Sequence, residues 1–213
     1  MNRKQVFEKM IEEEKATKRK LFYSAVYLFA SKGYANVGIR ELCRSVNVKE
    51  SAFYNHYSSK EELFRVILGF FEERNEQVVF TEQEIDSVVK AGSVRNFFLE
   101  NMKKFSEQTS GPIYHAILQI ILTESYVNEE AAKIAMHNLY YFRRGYTEEV
   151  LRRLMAEGHI KECSVSDVTA AYYYALKGLL DEFLLLETWE QDTGAVTNKI
   201  LSLIDYFVKS LEI

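Results

Sequence analysis

A chain of 213 residues can bury one substantial core, and it can equally join a small domain to a larger one. A single proline, Pro112, and nine glycines leave few turn residues, which disfavours a sheet-rich fold and predicts an all-α protein. The formal net charge of −4 argues against a nucleic-acid binder over the whole surface, yet residues 1–60 carry 12 Lys and Arg against 6 Asp and Glu while the remainder carries 15 against 25. Either basic residues cluster there by chance, or only that end faces a polyanion.

After a charged leader that can extend as a helix, Leu21, Phe22, Ala25, Val26 and Phe29 recur at spacings of three and four, the apolar stripe of an amphipathic helix. Thr17 is its expected N-cap and Gly33 its stop. A second short helix is predicted over Ile39 to Ser45, followed by Asn47, a residue that tolerates the left-handed conformation of a tight turn. A third runs over Lys49 to Tyr57 with Val48, Ala52, Phe53 and Tyr57 as packing positions. Ser58 or Ser59 then caps a fourth, with Glu61 or Glu62 completing a capping-box pattern, and that helix continues toward Val79. Three short helices with a tight turn before the last form a helix-turn-helix arrangement.

Segment 81–92 reads equally as a short helix or a loop. Further helices are predicted near Ser93 to Gln108, Ile113 to Tyr126, Glu129 to Glu157, Ser166 to Glu187 and Ala195 to Leu211. The last two have broad apolar faces, built on residues such as Tyr172, Leu176 and Leu180 in one and Ile200, Ile204 and Phe207 in the other. Such faces either close the core of one subunit or pack as a four-helix bundle across a two-fold axis.

The stretch from Arg19 through Leu63 contains Gly33-Tyr34, Ile39-Arg40-Glu41-Leu42-Cys43, Val46-Asn47-Val48, Phe53-Tyr54-Asn55-His56-Tyr57 and Lys60-Glu61-Glu62-Leu63. In this combination of spacings it resembles the DNA-binding domain of the TetR family of bacterial transcriptional regulators. The resemblance implies an N-terminal three-helix DNA-binding domain over residues 1–60 and a helical effector-binding and dimerisation domain over 61–213. It implies that the helix beginning at Lys49 enters the major groove, with Glu50, Ser51, Ala52 and Asn55 as base contacts. Arg40, Tyr54, His56, Ser59 and Lys60, together with Lys49, fall where the family grips the backbone or flanks the bases.

Each assignment has a plainer counterpart. Tyr54 and His56 can pack and hydrogen-bond within the small domain, and Lys60 can be a solvated lysine. Glu50 either accepts from cytosine N4 or sits at the helix start for its dipole. Val37 and Gly38 stand where the family places a Thr/Ser pair, Asn47 replaces a turn glycine, and Lys49 replaces a Ser or Thr. One cap and one phosphate contact are therefore expected to be missing.

Two reading helices about 34 Å apart are needed to select one site in a genome, which predicts a homodimer, through helices near 166–187 and 195–211, on an inverted-repeat operator in double-stranded DNA. The resemblance also implies a small-molecule effector held between helices of the C-terminal domain and able to release the protein from DNA. Among its many aromatic and polar residues, Phe98, Tyr114, Gln119, His137 and Tyr141 are the candidates for contacting it.

Other classes remain. An enzyme would have to use His115, His137 or His159 with a carboxylate such as Glu124, but no nucleophile elbow or phosphate loop is present. A helical scaffold with a vestigial DNA-binding head is the alternative that the lost caps suggest. Cys43 and Cys163 lack neighbours at metal-ligand spacing, so neither a metal nor a cofactor is expected. No apolar run reaches the roughly 18 residues of a membrane span, and the charged start does not read as a signal peptide, which together predict a cytoplasmic protein.

Overall fold

The structure is a computed structural model and describes residues 2–213. Among the described residues there is no strand. The order is α1 (Arg3–Glu13), α2 (Thr17–Lys32), α3 (Ile39–Ser45), α4 (Glu50–Tyr54), α5 (Lys60–Glu76), α6 (Glu82–Ala91), α7 (Val94–Thr109), α8 (Pro112–Glu124) and α9 (Glu129–Ala135). A π-helical segment (Met136–Tyr141) follows, then α10 (Phe142–Ala156), α11 (Val165–Thr188) and α12 (Gly194–Leu211).

The chain forms two compact units. One contains the residues up to Arg74 together with Thr109–Ala135, and the other Asn75–Gln108 with Met136–Ile213. In the first, α2 buries Leu21, Ser24, Ala25, Leu28 and Phe29 on one stripe, and α1 adds Phe7, whose ring lies 5.6 Å from that of Tyr27. The leader is thus a helix, opened by a capping box between Asn2 and Gln5. α8 brings Tyr114, Ile117, Ile120 and Ile121 into the same interior. In the second unit, Phe97, Phe98, Leu151, Leu154, Tyr172, Leu176, Ile204 and Phe207 form the core.

Several predicted boundaries change. Thr17 lies inside α2 rather than capping it; Ala16 holds the cap position, and the Glu14 carboxylate accepts from its N–H at 2.9 Å. The third helix is shorter than predicted, because Asn55 to Tyr57 leave it in a turn whose N–H groups from His56 and Tyr57 both reach the Phe53 carbonyl at 2.9 Å. α5 stops at Glu76 instead of continuing toward Val79. The ambiguous segment 81–92 is a helix, opened by a reciprocal bond pair: the Glu84 N–H donates to Thr81 Oγ1, and the Thr81 N–H donates to the Glu84 carboxylate. The predicted single helix over 129–157 is interrupted by the π segment.

α6 ends on Gly92, which has φ +65 and donates to the carbonyls of Val88 and Val89. A Cβ there would sit 2.6 Å from Nδ1 of His159. Gly92→Ala is expected to lower unfolding free energy in urea by about 1–2 kcal/mol through the left-handed backbone alone. Adding His159→Ala should recover only the excess due to the ring; a Gly92→Ala protein as stable as the parent would contradict this account.

Candidate nucleic-acid interface

A five-residue helix makes too few intrahelical hydrogen bonds to persist alone, so α4 must be held by its neighbours. Phe53 does this from within. It is wholly buried, its ring lies 5.7 Å from that of Tyr57, and the Tyr57 hydroxyl donates to the Lys18 carbonyl on α2 at 3.2 Å. Burial, with the Glu62 carboxylate adding to it, pushes the Tyr57 hydroxyl up to about 12, so it keeps the proton it donates. The turn before α4 uses Asn47 at φ +54, and the Val48 N–H returns to the Cys43 carbonyl at 2.9 Å. Asn47 thereby performs the turn expected of it.

With Phe53 and Tyr57 fixed inward, the opposite face of α4 is open: Lys49, Glu50, Ser51, Tyr54 and Asn55 are exposed, and Ala52 and His56 are half-buried. Arg40, on α3, is also exposed and donates through Nε to the Glu50 carboxylate at 3.0 Å. That pair gives Glu50 a role the sequence left open. Its charge is balanced by Arg40, and in turn part of the Arg40 guanidinium is already engaged.

Lys60 is neither fully solvated nor fully free. Its ammonium donates to the carbonyls of Tyr34 at 3.0 Å and Val37 at 2.9 Å and lies 4.1 Å from the centre of the Tyr34 ring. Two of its three protons thus brace the turn between α2 and α3. Gly38 stands at the start of α3 without a side-chain cap, as the Val37-Gly38 departure implies, and Lys60 steadies that turn from outside. Ser59 accepts from the Glu62 N–H at 3.1 Å, so it caps α5, while the Glu62 carboxylate reaches the Ser58 N–H and hydroxyl. The Ser58 contacts hold Glu62 below the usual carboxylate range.

α8 is tied to the end of α2 by two polar side chains. Gln119 donates to the Ala30 carbonyl at 3.0 Å and accepts from Arg3 at 2.7 Å. Glu124 is buried, and its carboxylate accepts from the Tyr34 N–H at 2.9 Å, immediately after Gly33 turns the chain at φ +82. The carboxylate that an enzymatic reading would use is therefore occupied in positioning the head. Sequence reasoning missed this role for Glu124; its signal is the lone acid on α8, at the last residue of the helix.

The five effector candidates are not brought together. Tyr114 and Gln119 belong to the first unit, where Tyr114 stacks on Phe71 at 5.3 Å and lines a cleft of about 270 Å³ with Met10, Phe70, Arg74 and Pro112. Phe98 is buried in the second unit with its ring 4.7 Å from that of Tyr172. His137 and Tyr141 lie on the π segment and are exposed. Among the described residues, no group of three or more His, Cys, Asp or Glu is placed to hold a metal, and no helix is long and apolar enough to cross a membrane.

These features define a helix-turn-helix head whose reading helix is clamped from behind and open in front. Residues 21–67 match the family described as "Bacterial regulatory proteins, tetR family". This match and the relatives below indicate the TetR family for the head. It is 40% identical over 48 residues to the biofilm operon icaADBC HTH-type negative transcriptional regulator IcaR of Staphylococcus epidermidis, a match that covers 22% of this chain and only 26% of that protein. It is 26% identical over 165 residues to the nucleoid occlusion factor SlmA of Marinobacter nauticus, covering 76% and 78% of the two chains. Among solved structures, a TetR family transcriptional regulator from Pseudomonas syringae superposes with a TM-score of 0.58 at 16% identity, over 94% of this chain and 99% of that one. A transcriptional regulator from Rhodococcus sp. Rha1 gives 0.60 at 14% identity, over 93% and 99%.

Removing the Glu124 carboxylate leaves the Tyr34 N–H without its acceptor. Glu124→Ala is expected to cost about 1–3 kcal/mol in urea unfolding and to speed hydrogen exchange at the Tyr34 amide, with Glu124→Gln costing less. Equal exchange in parent and Glu124→Ala would show that the bond does not hold the turn. Glu62 supplies a pH test. Its folded pKa lies below its unfolded one, so its contribution is complete above the unfolded carboxylate pKa of about 4.3 and is lost as pH falls through the folded value. Glu62→Gln should flatten the acid side of a stability-against-pH curve, and an unchanged curve would assign that decline to other carboxylates.

Proposed function

We propose that this protein is a sequence-specific, DNA-binding transcriptional regulator that works as a homodimer, occupies an inverted-repeat operator as a repressor, and is released by a small-molecule effector. The observation that carries the reading is the open face of α4, with Phe53 and Tyr57 locked behind it. A short helix presented in this way fits a major groove about 12 Å wide. Ser51, Ala52 and Asn55 are its base-reading side chains, Glu50 joins them or orients Arg40, and Lys49 at the helix start reaches a flanking phosphate. Tyr54, His56, Ser59 and the remaining proton of Lys60 are its phosphate contacts. In this reading residues 1–60 serve DNA binding and residues 61–213 serve effector binding and dimerisation.

The homodimer contact is assigned to α11 and α12. α11 leaves Ala171, Tyr174, Ala175, Gly178 and Leu185 exposed, and α12 leaves Leu201 and Tyr206 exposed. Apolar and small side chains gathered on a long helix suit burial against a second copy. The bonds from Gln119 and Glu124 tie α8 to the turn from which α3 and α4 hang, so a displacement of α8 would be felt at the reading helix. A ligand that prefers one head spacing by about 1–3 kcal/mol would change operator occupancy roughly 5- to 150-fold.

Selection from a random duplex library with the full-length protein, in low and moderate salt, tests the reading. An enriched inverted repeat is the expected result. Lys49→Ala should then weaken binding to all sequences and reduce the slope of log K against log salt by about 1, whereas Asn55→Ala should lose about 1–3 kcal/mol of discrimination at one base pair of each half-site. No enrichment at either salt would overturn the DNA-binding role and favour a helical scaffold.

A further inference from the structure

A buried cation in the second unit has no carboxylate beside it. Among the described residues, Arg143 is the one Lys or Arg that is buried, at 7% exposure, and no acidic side chain lies within ion-pair distance of it. One guanidinium nitrogen, Nη2, donates to Oδ1 of Asn101 at 2.9 Å, and buried Nε has no hydrogen-bond partner. Desolvating a guanidinium without a counter-charge costs several kcal/mol, of which a ring face returns only part. The Phe105 ring lies 4.1 Å from the guanidinium carbon and the Tyr173 ring 5.8 Å from it.

The surroundings are arranged as a site rather than as an accident of packing. Asn101 is itself buried and donates onward to the Tyr146 hydroxyl at 2.7 Å, which fixes which way its amide points and presents its oxygen to Arg143. The Tyr173 hydroxyl is paired with Thr147 at 2.7 Å. Burial raises the pKa of both tyrosines, so both remain neutral and cannot act as the missing counter-ion. The carboxylates nearby are committed elsewhere: Glu148 to Arg144 and Arg152, and Glu84 to Lys104.

The π segment explains how Arg143 comes to be inside. Asn138 and Arg143 are both buried and lie five residues apart. In a continuous α-helix such residues point about 140° apart, whereas one i→i+5 turn brings them back to the same face. The inserted residue thus turns Arg143 and Thr147 toward the interior, in line with Val150, Leu151 and Leu154. Insertions of this kind recur at functional sites.

We infer that Arg143 is the anchor of an effector site in the second unit, and that the ligand is a monoanionic carboxylate on an apolar or aromatic body. A single guanidinium balances one negative charge, so a phosphate dianion would leave charge unpaired. The unpartnered Nε–H would give a carboxylate a directed, charge-assisted hydrogen bond, and the rings of Phe105, Phe98, Tyr172 and Tyr173 supply apolar wall. This inference rests on the effector-released reading and names the chemistry of its ligand.

The test uses the full-length protein with octanoate, decanoate, phenylacetate and benzoate, each set against its uncharged primary amide, read by thermal unfolding and titration calorimetry. At least one carboxylate is expected to raise the Tm in a dose-dependent manner and to bind ten times or more tightly than its amide. Arg143→Met should abolish that difference without lowering the ligand-free Tm, and Arg143→Lys should retain part of it. Equal binding of acids and amides, an unchanged response in Arg143→Met, or no response to any acid would overturn the proposal. If Arg143→Met fails to fold, the acid-against-amide difference in the parent decides. An acid that binds through Arg143 but leaves operator affinity unchanged would sink the release mechanism and spare the site. Release by a neutral compound, with no acid bound, would do the reverse.

Discussion

The hydrogen bond from the Tyr34 N–H to the buried Glu124 carboxylate joins the last residue of α8 to the turn that leaves α2. Gly33 reverses the chain there in a conformation closed to most side chains, and Lys60 bonds the carbonyls of Tyr34 and Val37 on the same turn. One backbone hairpin is thus held by an acid from α8 and a base from α5. Because α3 and α4 hang from this hairpin and are too short to hold themselves, the orientation of the reading surface depends on it. The constraint is electrostatic as well as geometric: a buried carboxylate is tolerated because it accepts from a backbone N–H at 2.9 Å.

The same arrangement accounts for the departures around the head. A family member with a capping Thr or Ser at the start of α3 would stabilise that helix from its own side chain. Here Gly38 supplies none, and the lysine that the resemblance places on phosphate is drawn into the protein to brace the turn. Arg40 and Glu50 are drawn together in a similar way. Contacts with DNA would then be made by a surface whose charges are already partly matched to one another, so complementarity to DNA depends on what each group has left to donate.

The second unit shows a different use of charge. Within its largely apolar core the Arg143, Asn101 and Tyr146 chain holds a cation that lacks an anion. Folding alone would favour a methionine or leucine at that place. Retaining an arginine there makes sense for a protein whose interior is completed by a ligand that brings the negative charge. The exposed row on α11 and α12 is, in the same sense, the surface proposed to be completed by a second copy.

The all-α class, the places of α2 and α3 and the left-handed turn at Asn47 were legible because each rests on local rules: apolar spacing, few turn residues, one residue suited to positive φ. The Thr81-Glu84 capping pattern was equally local, and it resolves a segment that periodicity alone left open. The extent of the reading helix was not legible, since Asn55 and His56 suit either a helix or a turn and the seating of Phe53 and Tyr57 decides between them. Nor was the scatter of the effector candidates: aromatic residues at helical spacing look alike whether they fill a core, stack like Tyr114 on Phe71, or face outward like Tyr141. Arg143 was hidden because the π segment shifts the helical register by one residue, and no linear period records that shift. The sequence by itself determined the helical elements and the identity of the head, since neighbouring residues specify both; which charges are buried, paired or left open was decided only by the tertiary structure, because partners such as Lys60 and Glu124 reach the Tyr34 turn from 26 and 90 residues away.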